Sequence, residues 1–496
     1  MIDEQLYVEQ EEKELQLMKK IDKQIQEQVD KDERELIEFD KQLEKNLQEV
    51  ESKTQQNNIQ PTSQKERIIK GLTNFEDMHQ MANKFIEVQP LYYDTSKIWW
   101  LWDFEKCCWV ITDEVDIMNM LDDALKTHYP LVDTIKAHRM NMIMESLRRE
   151  ARKNKPGEMP SNWIQFQNKV VNIYTGKISE PEPKYMTTNP IPWKIGSSEN
   201  TPTLDKLFEE WVGKKYVETL YEIMAYCLHR GYPLQRLFIL VGSGSNGKTT
   251  FLSILTKFLG MYNVCSTELD LITDTGSRFE ISKLYKKLAC SMGETNYNTI
   301  KRTSMIKKLT GGDLIRFEFK NKMPFDDYNY AKILIATNTL PETTDRTPGF
   351  YRRFVIIDFP NVFTEKRDIL TEIPDVEYEN LAKKCTKILK RLINKREFTN
   401  EGSIHEREAK YEDTSNPMKR FIINCCVVDK NSSVPFELFA VNFGIFLNDK
   451  PGEETYSDKA ISGMLSREGF KTKTVGVRKE DGEWTTQKHV TGLKFK

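Results

Sequence analysis

Apolar positions change their spacing several times along the chain, and each change predicts a different kind of element. In residues 1–55, Leu15, Met18, Ile25, Val29, Leu36, Phe39, Leu43 and Val50 fall on a and d positions of one heptad frame, interrupted by Asp22, Asp32 and Asn46. The stretch is rich in Glu, Gln, Lys and Asp and contains neither Pro nor Gly, which predicts a long charged helix. That helix either pairs as a coiled coil, open to a protein partner, or stands alone as a charged arm. Residues 56–65 are polar, carry Pro61 and show no period, so they read as a linker. Residues 66–200 read as a mixed α+β unit. IWWLWDFEKCCWVI (98–111) places two apolar runs around Asp103–Lys106, which predicts a hairpin, and its four Trp either fill a core or stack on bases. A basic helix end with Arg148, Arg149, Arg152, Lys153 and Lys155 follows, either solvated or touching phosphate. WIQFQNKVVNIYTGKI (163–178) then reads as two short strands about a turn.

From 201 to 400, short fully apolar runs alternate with helical stretches, the pattern of a parallel α/β sheet. The predicted strands are Leu237–Val241, Lys287–Met292, Lys332–Ala336 and Phe354–Asp358. Residues 410–496 show helical patterns near 417–427 and 457–468, then the strand-like runs KTKTVGVR and KHVTGLKFK. Helices followed by a β wing predict a winged helix.

Composition narrows the classes. The 496 residues are 39% hydrophobic and 30% charged, a water-exposed globular balance for two to four folded units. The net charge of −2 predicts no nucleic-acid partner for the chain as a whole, so such a partner must meet a local patch. One exists: residues 471–496 hold seven Lys/Arg against three Asp/Glu. No apolar run approaches the ~20 residues needed to span a bilayer. The start, MIDEQLYVEQEEKE, lacks the apolar core of a signal peptide, so a cytoplasmic location without membrane contact is expected. The eight Cys show no CxxC spacing and His is scarce, which predicts reduced thiols rather than a zinc site.

The chemistry is concentrated after the first core strand. LFILV leads into Gly242-Ser243-Gly244-Ser245-Asn246-Gly247-Lys248-Thr249-Thr250, and an amphipathic helix follows. This is the spacing of a P-loop, in which glycines let backbone N–H groups curl around an anion at a helix N-terminus. Lys248 is expected to neutralise the β/γ-phosphates of ATP and the Thr249 hydroxyl to ligate Mg²⁺. Hydrolysis also needs an acid and a positioned water. The second strand ends KLACSMGETN, and Glu294, 45 residues after Thr249, is the candidate catalytic carboxylate and second Mg²⁺ contact. The third, KILIATNTLP, ends at Asn338, where a neutral amide would orient water and sense γ-phosphate. Before the fourth, GFYRRFVIIDFP places Arg352 and Arg353 where one would reach a neighbouring subunit's phosphate as an arginine finger. Between them, KKLTGGDLIRFEFKNKM predicts a hairpin whose basic tip, Lys320 and Lys322, would grip phosphates without reading sequence.

The series GSGSNGKTT, GETN, KKLTGGD with its basic hairpin, ILIATNTLP and FYRRFVIIDFP resembles superfamily 3 helicases, most closely the phage, plasmid and poxvirus primase-helicases. FQNKVVNIYTGKI…YMTTNPIPW upstream and NPMKRFI…AISGMLSREGFKTK…VTGLKFK downstream extend the similarity to about 430 residues. The resemblance implies an α/β P-loop core of AAA+ type, flanked by the N-terminal helix and α+β region and the C-terminal winged helix. It also implies a hexameric homo-oligomeric ring and ATP-driven 3′→5′ travel on single-stranded or forked DNA, in the replication of a phage, plasmid or mobile island. The roles of Lys248, Thr249, Glu294, Asn338 and Arg353, with Arg352 as alternate, follow from it, and those of Lys320 and Lys322 more loosely. The residues before 66 are short and helical, so helicase rather than primase is read. Origin duplex is a further expected partner of the C-terminal unit, which would otherwise serve subunit contacts. The competing reading is a DNA-binding initiator or protein-remodelling AAA+ ATPase without processive unwinding.

Overall fold

The computed structural model describes residues 78–496 apart from 129–136, 168, 243, 274–278, 294–298, 301, 339, 344, 365–367, 448–456 and 479–483, together with eight positions between 31 and 45. Those eight positions are helical; the rest of the 1–55 heptad frame and the 56–65 stretch lie outside the described residues.

The N-terminal part begins with α1 (Met78–Val88) and an antiparallel sheet of β1 (Leu91–Tyr93), β2 (Trp99–Asp103) and β3 (Cys108–Thr112). The hairpin predicted over 98–111 is β2–β3, with Trp102 opposite Trp109. Trp99, Trp100, Trp102 and Trp109 are all at most 3% exposed. They fill cores on both faces of the sheet and are not open to bases. Helices α2 (Glu114–His128) and α3 (Ala137–Lys153) follow. The basic end of α3 is largely satisfied internally: Arg148 pairs with Glu114 and Glu145, Arg149 with Glu145, Lys153 with Glu150, and Arg152 lies over the Tyr93 ring. A small sheet of β4 (Trp163–Phe166), β5 (Lys169–Asn172) and β6 (Ile178–Ser179) leads into the core.

Helices α4 (Pro202–Val212) and α5 (Lys214–Cys227) precede a five-stranded parallel sheet. Its strands are β7 (Leu237–Val241), β8 (Val264–Ser266), β9 (Ala289–Met292), β12 (Lys332–Thr337) and β13 (Phe354–Asp358), in the spatial order β8-β9-β12-β7-β13. The first strand thus lies between the fourth and the fifth. Every residue of β7 and β12 is buried, as a parallel sheet covered on both faces demands. One face packs on α4, α5, α6 (Lys248–Leu259) and α8 (Asp375–Lys395). The other packs on α7 (Ser304–Gly311) and on the hairpin β10 (Leu314–Phe317)–β11 (Phe325–Tyr328). The arrangement is a mixed α/β architecture consistent with an AAA+-like core. The four strands predicted from apolar runs are present; β8, only three residues long, gives no comparable run.

Helix α9 (Ile404–Ser415), with a Ser403/Glu406 capping box, leads to the C-terminal part. There α10 (Pro417–Cys425), β14 (Cys426–Pro435), α11 (Phe436–Leu447), α12 (Asp458–Arg467), β15 (Lys471–Arg478) and β16 (Trp484–Phe495) follow in order, with β16 in the middle of the sheet. Helix α11, unpredicted because FELFAVNFGIFL is apolar almost throughout, buries Phe436, Phe439 and Phe443 and exposes Leu438, Val441 and Ile445. Among the described residues no helix is long and apolar enough to cross a membrane.

One charge is buried at the root of the sheet. Lys332, fully buried at the start of β12, donates to His229 O at 2.5 Å and Tyr330 O at 2.9 Å, and lies over the Tyr226 and Tyr232 rings. Burial pushes its ammonium down to about 7. Burial, helped by the Lys332 charge, likewise takes His229 to about 3, so this imidazole is neutral at physiological pH. For Lys332 the unfolded chain binds the extra proton between about 7 and about 10.4, so folding stability must rise with pH across that window. The thermal midpoint is expected to rise by about 2–4 °C from pH 7 to pH 9 and to stay flatter in Lys332→Met. An equal rise in both proteins by calorimetry would remove Lys332 as its source.

Candidate functional site

Strand β7 runs into the glycine-rich turn and α6 starts at Lys248. Gly242 is required by close approach: a Cβ there would stand 1.9 Å from Asn246 Nδ2 and 2.6 Å from Phe359 O. Gly247 has φ 93°, left-handed, and a Cβ would lie 2.7 Å from the Trp211 indole nitrogen. The turn is therefore pressed between the end of α4 and the segment after β13. Asn246 Nδ2 donates to Phe359 O at 3.1 Å, and Phe363 N–H to Ser245 O at 2.8 Å. Ser243 is outside the described residues.

Lys248 turns back over the loop and is 5% exposed. Its ammonium donates to Gly242 O at 2.5 Å, Asn246 Oδ1 at 3.0 Å and Asn338 Oδ1 at 3.3 Å. Asn338 gets there because β12 pairs with β7 and Thr337 registers with Val241, so both strands end at the same level. Two residues predicted for one site from separate segments are thus brought into contact. The Thr249 side chain is exposed at the second residue of α6, and Thr250 is beside it.

Lys248, Thr249 and Thr250 line a cavity of about 840 Å³. One wall is Gly244–Thr250; the other sides are Trp211, Ser266, Ser291, Gly293, Val362 and Phe363. Gly293, at the end of β9, is on the cavity, and Glu294 immediately after it lies outside the described residues. Among the described residues no group of three or more His, Cys, Asp or Glu forms a metal cluster. A helix N-terminus, a lysine ammonium and a turn shaped by glycines facing one concavity suit a polyphosphate anion. Trp211, Val362 and Phe363 were not singled out from the sequence. Asn246 belongs to the loop named from the sequence, though at one of its free positions, and the other three carry no local signal.

The two arginines face differently. Arg353 is 7% exposed; its guanidinium donates to Thr310 Oγ1 at 3.0 Å and to Gly349 O, both in its own chain. Arg352 is half-buried and donates to Gln235 Oε1. Neither is brought to Lys248. Lys320 and Lys322 are exposed at the turn between β10 and β11, and Lys322 Nζ donates to Lys97 O at 3.0 Å. The hairpin root is fixed by Ile315 and Phe317, which alternate inward, and by a ring cluster of Tyr285, Phe317, Phe319 and Phe325.

Residues 78–216 match the D5 N-terminal-like family, and residues 240–353 match a family of unknown function, DUF5906. A putative helicase of Acanthamoeba polyphaga mimivirus is 27% identical over 154 residues, which is 30% of this chain. The match spans 16% of the length of that protein. Two apo structures of the NrS-1 C-terminal region align over 84% and 85% of this chain and all of theirs, at 12% and 13% identity and TM-scores of 0.42 and 0.43.

Proposed function

We propose, for a chain that belongs to the phage and viral superfamily 3 primase-helicase family, that it is an ATP-driven replicative DNA helicase working as a ring of identical subunits with 3′→5′ polarity. The observation that carries the reading is the contact of Lys248, on the cavity wall, with Asn338 at the end of β12, which supports joining a phosphate-binding loop to a γ-phosphate sensor. In this reading Gly242–Thr250 cradle the triphosphate, and Lys248 exchanges its loop acceptors for phosphate oxygens. Thr249, with Glu294, would hold Mg²⁺, which when bound would supply positive charge against that of the triphosphate. Glu294 accepts the proton of the lytic water and Asn338 orients that water. Arg352, the more exposed of the two arginines, takes the finger role toward a neighbouring subunit. Arg353 sets the position of the segment by tying Thr310 to Gly349. Lys320 and Lys322 hold the phosphates of a threaded single strand.

The C-terminal part has the helix–strand–helix–helix–strand–strand order and central last strand of a winged helix, and β15 and β16 bear much of the positive charge. We assign it to origin duplex. A second reading, an initiator or protein-remodelling ATPase without processive unwinding, is favoured by the exposed Leu438, Val441 and Ile445 on α11. Strand displacement on a forked duplex decides. ATP-dependent unwinding from a 3′ tail, absent in Lys248→Ala, is expected. ATP hydrolysis indifferent to single-stranded DNA, with no displacement, would transfer the assignment to the second reading.

A further inference from the structure

The turn joining β1 to β2 lies against the tip of the β10–β11 hairpin, two segments separated by more than 200 residues. Asp94 builds this turn: its Oδ1 accepts the N–H groups of Ser96 and Ile98, both at 2.9 Å, and its Oδ2 accepts the Trp100 indole N–H at 3.0 Å. The carboxylate is thereby committed to the turn. Lys97 sits at its apex with φ 64° and an exposed side chain. Asn321 at the hairpin tip has φ 63°, and between these two left-handed corners Lys322 donates to the Lys97 carbonyl. That bond involves a neutral acceptor, so it leaves the Lys322 charge uncompensated. Among the described residues Lys97, Lys320 and Lys322 form no ion pair, whereas Lys286 pairs with Asp327 of β11. Three exposed lysines without a carboxylate partner therefore lie on two turns, from distant parts of the chain, that touch each other. Like charges so placed repel one another until a polyanion lies across them.

We infer that the β1–β2 turn is the second half of the nucleic-acid contact, with Lys97 binding a phosphate of the same single DNA strand that Lys320 and Lys322 hold. The inference rests on the reading of the hairpin as a DNA contact. It adds that the N-terminal part grips the strand as well, through a residue outside the ATPase core. The ring cluster of Tyr285, Phe319 and Phe325, with Trp100 against Tyr285, fixes the two turns relative to each other.

The test is anisotropy of a labelled oligothymidine with the full chain and a non-hydrolysable ATP analogue, from 50 to 200 mM salt. Lys97→Glu is expected to weaken binding by about 5–10-fold at 100 mM salt and to reduce the log–log salt slope by about 0.7. Lys97→Gly suits the left-handed apex, so its loss of affinity cannot be ascribed to a broken turn. Lys97→Arg should bind within about twofold of the parent. Lys194→Glu, an exposed charge reversal elsewhere, reports the effect of net charge alone. Lys97→Glu and Lys97→Gly binding like the Lys194→Glu control, while Lys320→Ala/Lys322→Ala weakens, would overturn the inference and leave the hairpin reading standing. Unchanged binding in all of these variants would overturn both.

Discussion

Lys248→Ala is expected to lower ATP hydrolysis by about 10²–10³-fold, with DNA present or absent. Lys248 is a buried ammonium on the cavity wall, held within hydrogen-bond distance of three oxygens. The charge is already held at the loop when the γ-phosphate loads and has only to change acceptors, and removing one such donor from a site of this kind typically costs about two to three orders of magnitude. The fold should tolerate the change. Of the acceptors released, Asn246 lines the cavity, and Gly242 and Asn338 adjoin lining residues, Asn246 by close approach and Lys248 by hydrogen bond, so water entering through the cavity can replace the ammonium. Phosphate release should therefore collapse while the thermal midpoint moves by no more than a few degrees. Hydrolysis within threefold of wild type would mean that the cavity is not the site of phosphoryl transfer.

Asn338→Asp is expected to be nearly as damaging, about 10²-fold in kcat, although it changes one atom. The amide oxygen of Asn338 is 3.3 Å from the Lys248 ammonium. A carboxylate in its place would pair with that ammonium, withdraw it from the nucleotide and set a negative charge against the γ-phosphate. Asn338→Ala removes the sensor without adding the charge, so it should be the milder variant, at about 10-fold. The order of the two is the informative result. Equal, small effects in single-turnover hydrolysis would mean that Asn338 only ends its strand before Pro341.

The same contact separates what can be read locally from what cannot. The loop, its flanking strand and its helix occupy one contiguous stretch, and each of its constraints acts on neighbouring residues. Glycines where the backbone turns left-handed or meets Asn246 and Trp211, and Lys248 and Thr249 at the helix start, leave a local signature. The four apolar runs were legible for a similar reason, because a strand buried on both faces must be apolar at every position. β8 was missed because three residues carry no such run, and α11 because a helix apolar on nearly all sides has no period. The four Trp were ambiguous in sequence, since an aromatic ring serves a core or a base equally. Burial by both faces of the β1–β3 sheet decided for the core.

What the sequence determined by itself was the type and order of the parts: the anion-binding loop, the alternation of strands and helices after it, and the candidate residues at the strand ends. Which of those residues meet was decided only by the tertiary structure. Lys248 and Asn338 are 90 residues apart and touch because the sheet order sets β12 beside β7 in a register that ends both together. Arg352 and Arg353, adjacent in sequence, differ because Thr310 and Gly349 enclose one guanidinium, while the other donates to Gln235. Lys97, unremarked in the sequence, joins the hairpin lysines because two turns more than 200 residues apart are packed against each other. Local pattern records the constraints a residue shares with its chain neighbours; contact and burial depend on strand order and packing, which no short window contains.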